Sequence, residues 1–334
     1  MKKNRVILLL CLLGAILFPV AIKDLYFMHI AILIGIYAIS AISVNLILGY
    51  AGQLSLGHAA FFGIGSYVSA LAYLQLGVPL WGGMILAPAA SGVLGYVVAK
   101  LALKLRGAYF VIMTIGVAEV LRLVALNWVS VTKGPMGVTD IGAPVLSFGS
   151  FGTLNFGEKV PYYYLVLLFL IVSVFLQCRL IRSPFGRSFI SIRENEDLAQ
   201  SIGINSYKYL IIVVVISTAI AGLSGSLYAH YVKFIDPGVF AFFFSVNLVM
   251  MVVGGGQGTF AGPVLGAILF TAIPELLRVF GDSRMVIYSL IVIFFVIFMP
   301  RGILFYLNWI SKGAGRDIMK SAYAENGETE GSMS

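Results

Sequence analysis

Residues Leu25 to Ala99 read LYFMHIAILIGIYAISAISVNLILGYAGQLSLGHAAFFGIGSYVSALAYLQLGVPLWGGMILAPAASGVLGYVVA, 75 consecutive residues without a Lys, Arg, Asp or Glu. A soluble domain cannot sustain such a run, because its surface needs solvated side chains. A hydrocarbon core of ~30 Å is crossed by ~20 apolar residues of helix, so the run lies in a bilayer. The 334-residue chain as a whole agrees: 60% of it is hydrophobic, 11% is charged and its mean hydropathy is +0.99. At ~20 residues per crossing that content makes roughly ten spans. The apolar stretches are continuous and lack the alternation of lipid-facing strands. The chain therefore reads as an all-α integral membrane protein of about ten transmembrane helices, some broken or re-entrant, surrounded by membrane lipid.

Working outward from the run, basic residues assign the sides, since Lys and Arg accumulate in cytoplasmic loops. A first helix, Val6 to Ile22, starts from Lys2, Lys3 and Arg5 on the inside; no Ala-x-Ala site follows it, so it is read as uncleaved. The charge-free run must then return to Lys100, Lys104 and Arg106 and contains an odd number of spans. Three fit, with breaks near Gly49 to Gly57 and Gly77 to Pro79. Helix 5 covers Ala108 to Leu126, an outer loop follows to Pro161, and helix 6 covers Tyr162 to Gln177. The inner loop 178–208 is the most basic, with Arg179, Arg182, Arg187, Arg193 and Lys208. Helix 7 lies between Lys208 and Lys233. Residues 237–274 hold 38 uncharged positions, about 57 Å of helix at ~1.5 Å per residue. That is two short spans or a re-entrant hairpin at Gly254 to Gly256. Helix 10, Met285 to Met299, ends at Pro300-Arg301, and both termini fall in the cytoplasm. The domains are a first helix (1–24), a transmembrane domain (25–311) and a disordered polar tail (312–334) ending in Glu325, Glu328 and Glu330.

This topology places 15 of the 22 Lys and Arg inside and 7 outside, with the acids split evenly, so the whole net charge of +8 is cytoplasmic. The basic balance needs no nucleic-acid partner. Cys11 and Cys178 read as small hydrophobes. Glu119 with Arg122 and Glu275 with Arg278 are spaced i,i+3 for pairing on one helix face. His58 has no acidic neighbour to make it a metal ligand or proton relay. Gly152 to Gly157 has phosphate-loop spacing but is followed by Glu158 instead of Lys. No nucleophile or metal set marks the chain as an enzyme, and no cofactor or metal is expected on it. ATP hydrolysis, if used, comes from a partner chain.

Small residues at four-residue spacing, Gly254, Gly258, Gly262 and Gly266, and again Ala221, Gly225 and Ala229, predict close helix packing. Two Gly-Gln-x-Ser/Thr clusters are more specific: Gly52-Gln53-Leu54-Ser55 and Gly256-Gln257-Gly258-Thr259. Each puts a helix breaker beside polar side chains near membrane depth, where unwound backbone survives only under cover of protein or in a water-filled cavity. Transporters build substrate sites this way.

The inner loop separates the transporter classes. Arg193 to Ser201 predicts a short helix, acidic at its start and closed by Gly203. With Asn45 to Tyr67, Arg106 to Gly116, Arg193 to Asn205 and Gly254 to Gly262 in the same order, the sequence resembles the permease subunits of branched-chain amino acid ABC importers, of the LivM type, over about Leu25 to Arg301. The resemblance implies an inner-membrane permease for Leu, Ile or Val, with urea or short amides as the alternative. It implies a homologous second permease, two ATP-binding subunits that hydrolyse the ATP, and a periplasmic or lipid-anchored amino acid binding protein. It makes Arg193, Glu194, Asn195, Glu196, Ala199 and Gly203 the coupling segment, and directs the pathway past Gln53, Ser55, Thr114, Asn247, Gln257 and Thr259. The rival, an ion-coupled carrier, would need no structured inner loop.

Overall fold

The computed structural model of the chain describes residues 13–22, 24–105, 107–143, 145–147, 153–299 and 302–305. The basic start of the first helix with Cys11, Arg106, Gly152, Pro300-Arg301 and the tail 312–334 lie outside the described residues.

Residues 13–21 are helical (α1). The charge-free run forms three helices, with breaks at the two expected places. α2 (Leu25–Asn45) starts at Asp24, whose carboxylate accepts the Tyr26 N–H at 2.8 Å, and continues into a π-turn, Leu46–Tyr50. An irregular connector, residues 51–57, leads to α3 (His58–Leu76). Pro79 then precedes α4 (Leu80–Ala102). α5 is Ala108–Asn127. The expected outer loop carries a short helix α6 (Val129–Thr132) and an antiparallel ribbon of β1 (Val145–Ser147) and β2 (Thr153–Asn155), with Leu146 opposite Leu154. α7 (Lys159–Ile181) returns to the inner loop. That loop folds as α8 (Pro184–Glu194) and α9 (Glu196–Ser201). α10 (Ser206–Val232), α11 (Phe242–Gly255), α12 (Gly262–Leu276) and α13 (Arg284–Phe298) complete the chain. Among the described residues seven helices are long and apolar enough to cross a membrane, α12 being counted with the 3-10 turn that extends it to Gly281; α11 and the core of α13 are shorter apolar helices.

α10 packs against α2, α3 and α4 at the centre. Glycine makes this crossing possible: a Cβ on Gly65 of α3 would fall on the backbone of Gly222 in α10, and one on Gly225 would meet the Phe62 carbonyl. Hydroxyls tie the same helices together. Ser40 and Ser224 Oγ atoms lie 2.5 Å apart, and Ser66 donates to the Gly225 carbonyl at 2.9 Å. Such polar contacts replace the hydrophobic driving force that lipid cannot supply between helices.

The stripe Gly254, Gly258, Gly262, Gly266 is not one helix face. Gly258 sits in the turn between α11 and α12, and the other three serve the hairpin itself: Gly266 abuts the Met251 backbone and Gly254 the Phe270 ring. Four-residue spacing across a turn mimics a helical stripe. Both i,i+3 pairs form, Arg122–Glu119 at 2.6 Å and Arg278–Glu275 at 3.3 Å. Tyr26 also donates to Glu275 at 2.5 Å, closing α2 on α12.

Candidate coupling and pathway site

The inner loop is two helices where a single one over Arg193 to Ser201 is expected. Asn195 breaks it: its backbone is extended (φ −161°, ψ 108°) and its side chain accepts the Leu198 N–H at 2.9 Å, capping α9. Asn competes with helical continuation through this local bond. Arg193 and Glu194 therefore end α8, while Glu196 and Asp197 occupy the first turn of α9, where carboxylates favour the helix dipole. α8 turns Phe189 and Ile192, both buried, onto the bundle. Ala199 is buried as well and anchors α9, while Leu198 and Ile202 are 62% and 69% exposed. Gly203 closes α9 with φ +87°. Its N–H donates to Gln200 and the next N–H to Ala199, both at 3.0 Å, satisfying carbonyls of the last turn. Gly203→Val forces a β-branched residue into that left-handed region, at about 1–2 kcal/mol. The expected outcome is that α9 frays, read as faster hydrogen exchange of its amides, while membrane insertion stays normal; unchanged exchange would show that Gly203 is not needed to close the helix.

The Arg193 side chain, 34% exposed, lies at the surface of the bundle and reaches across to the end of the π-turn. Its Nη1 donates to the Gly49 carbonyl at 2.6 Å, one of the carbonyls a helix end leaves without a helical donor. Its Nε and Nη2 hold Glu194 at 3.2 and 2.5 Å. A Cβ on Gly52 would stand 2.7 Å from Arg193 Cγ, and one on Gly258 2.9 Å from its Nη1. The two Gly-Gln clusters, some 200 positions apart, thus meet along one arginine side chain, Gly52 at its stem and Gly258 at its guanidinium. Asn45 ties the end of α2 to the second cluster: its Oδ1 accepts the Gly258 N–H at 2.8 Å and its Nδ2 donates to the Thr259 carbonyl at 2.9 Å. Thr259 Oγ1 donates to Gly256 and accepts from Gly262, closing the hairpin turn. Gln257 is exposed at the tip of that turn.

The connector is held from three sides. The Leu56 N–H donates to Thr114 Oγ1 of α5 at 3.3 Å, and the Ala59 N–H to Ser245 of α11 at 2.9 Å. Ser217 donates to the Ser43 carbonyl at 2.7 Å, so it accepts from His58 Nε2 at 2.9 Å; the network assigns that ring nitrogen its proton. His58 is therefore a buried strut between α3 and α10. Ser55 and Thr114 are both buried and lie against the same stretch of connector. Gln53 lines a cleft of about 260 Å³ with Lys104, Glu196, Gln200 and Tyr207, beside α9. Asn247 lies apart from this set: it donates to Phe243 and accepts from Tyr288, linking α11 to α13. At the opposite end of the bundle His29, Glu158, Lys159, Tyr162, His230 and Lys233 line a second cavity of about 330 Å³. Among the described residues no three His, Cys, Asp or Glu side chains group as a metal site.

Sequence reading missed Asn45, Ser217 and Ser245 as bracing groups, because a serine inside an apolar run looks the same whether it pairs across helices or back to its own. It also missed Leu198 and Ile202, whose exposure becomes visible only when α9 is seen to turn Ala199 inward.

The family of branched-chain amino acid transport system permease components matches residues 26–299. The high-affinity branched-chain amino acid transport system permease proteins LivM of Salmonella typhimurium and of Escherichia coli are each 31% identical to the chain over 320 residues, covering 90% of it and 75% of their own length. The permease protein LivH of the same Salmonella strain is 25% identical over 291 residues, covering 80% of this chain and 91% of its own. No solved structure matches significantly. With seven span-capable helices among the described residues and a family match over most of its length, the chain is a multi-pass membrane protein and belongs to the branched-chain amino acid transport permease family.

Proposed function

We propose that the chain is the transmembrane permease of an inner-membrane importer driven by ATP, moving Leu, Ile or Val into the cell. Ten crossings are counted by adding α1, α11 and α13 to the seven long helices, with both termini cytoplasmic. The observation that carries the reading is Arg193: it joins the structured inner loop to both broken segments, as a device converting movement of that loop into opening of a path requires. α9 is the docking element for an ATP-binding subunit, with Leu198 and Ile202 as its contact and Glu196 at its start. Ser55 and Thr114 line the path beside the connector, Gln53 lies at its inner mouth, and Asn247, Gln257 and Thr259 shape the hairpin beside it.

The relatives' names favour branched-chain amino acids over urea or short amides, and the occurrence of both LivM and LivH among them supports a homologous second permease. The further partners of the proposal, two ATP-binding subunits that hydrolyse the ATP and a periplasmic or lipid-anchored amino acid binding protein, rest on the importer reading itself. This is a two-state shift, in which ATP binding outside the bilayer biases the side to which the path opens.

Leucine uptake into vesicles containing the purified assembly tests it. Uptake should require ATP and survive collapse of the ion gradients; the reverse pattern would identify an ion-coupled carrier. Leu198→Glu should reduce co-purification of the ATP-binding subunit at least tenfold, because a charge replaces an apolar contact at the centre of the docking surface. Retention of the subunit would place docking elsewhere.

A further inference from the structure

The outward face of α5 carries two features that this chain leaves unexplained. Arg122 holds Glu119 in a fork, Nε at 2.9 and 3.1 Å from the two carboxylate oxygens and Nη2 at 2.6 Å from one of them. Yet the Arg122 and Glu119 side chains are 32% and 47% exposed. Counted from Ala108, they stand about 17 and 21 Å along the helix, inside a hydrocarbon layer of ~30 Å. Ionised side chains at that depth face protein or a water-filled cavity, not acyl chains. One turn earlier on the same face is Gly116, where a Cβ would meet nothing within 4 Å. Glycine in a helix interior is disfavoured, and among the described residues no neighbour uses the space. Elsewhere in a membrane helix such a gap lets another backbone approach closely. Exposed Ile112 and Val120 flank it. The peripheral α7 and α13 differ, since their exposed positions, among them Leu168, Ile171, Phe175, Leu290, Ile293 and Phe294, are the apolar residues lipid requires.

We infer that this face of α5 is where the homologous second permease packs, Gly116 admitting its helix and the Glu119–Arg122 pair lying beneath it. The inference rests on the importer reading, and the relatives support a homologue in place of a second copy, since one Salmonella strain holds both LivM and LivH, each similar to this chain.

The test attaches a photo-reactive maleimide to Val120→Cys, in the full assembly in native membranes, with Cys11 and Cys178 replaced by serine. The expected result is a covalent adduct with the homologous permease. Adducts to lipid alone, adducts to a second copy of this chain, or free reaction of the cysteine with an aqueous thiol reagent would each overturn the assignment. Gly116→Leu gives an independent measure: co-purification of the second permease should drop at least tenfold while the chain's own thermal unfolding is unchanged. A lipid-facing position would accept Leu with no loss of the partner. If no homologous permease accompanies even the wild-type chain, the importer reading fails; if it accompanies the chain but Val120 labels only lipid, the α5 assignment alone fails.

Discussion

Replacing Arg193 with Ala should leave an assembled transporter that hydrolyses ATP without moving amino acid. The guanidinium is the link from α8 to the Gly49 carbonyl, and the glycines at 52 and 258 leave it no room to be replaced by a bulkier contact. A charge-assisted bond of this kind is worth about 1.5–3 kcal/mol. Its loss should lower leucine taken up per ATP hydrolysed by about tenfold to a hundredfold, with hydrolysis itself nearly unaffected. Arg193→Lys should recover part of the ratio, since an ammonium can reach one carbonyl but cannot hold Glu194 in the same fork. The measurement is parallel uptake and phosphate release in one vesicle preparation. Equal loss of both would make Arg193 an ordinary structural residue.

Gly65→Val should prevent folding altogether. A side chain there collides with the backbone of Gly222, and a Cβ on Gly222 would in turn meet Ser91 of α4, so three helices would have to separate. Backbone cannot move aside as a flexible side-chain end does, and the penalty should exceed the ~1–3 kcal/mol of ordinary overpacking. The expected outcome is loss of monodisperse protein in detergent and rapid degradation in cells. Gly14→Val, where a Cβ meets nothing within 4 Å, serves as the neutral comparison. A Gly65→Val chain with wild-type thermal unfolding would show that the α3–α10 crossing is looser than its geometry.

Much of this fold is written in charge and periodicity. The 75-residue run divides into three helices, the number its length and breaks suggest, and the breaks at Gly49 to Gly57 and Gly77 to Pro79 follow from glycine and proline chemistry. The i,i+3 ion pairs were equally readable, because spacing alone makes them neighbours. The junction at Arg193 was not. Its parts are contributed by residues 45, 49, 52, 193 and 258, and nothing local in an arginine shows whether it turns toward solvent or toward a carbonyl on another helix. The split between α8 and α9 was hidden for a different reason: Asn195 suits a helix interior poorly and a cap well, and only the extended backbone reveals which it serves. The four-residue glycine spacing misled, because periodicity counts residues and cannot see the turn they cross.

α10 has a mechanical property that its contacts alone do not convey. Its 27 residues make a rod about 40 Å long, gripped near its middle, where the Gly222 and Gly225 crossings leave no play. Its lower end contributes Tyr207 and Leu210 to the cleft beside α9, and its upper end contributes His230 and Tyr231 to the opposite cavity. Both ends are pinned as well, the upper one through His230 to Ser69 and the Gly142 carbonyl and the lower one through Tyr207 to the Lys100 carbonyl. One rigid element is thus a wall of both chambers, so neither chamber can change shape at that wall without straining the helix that bounds the other.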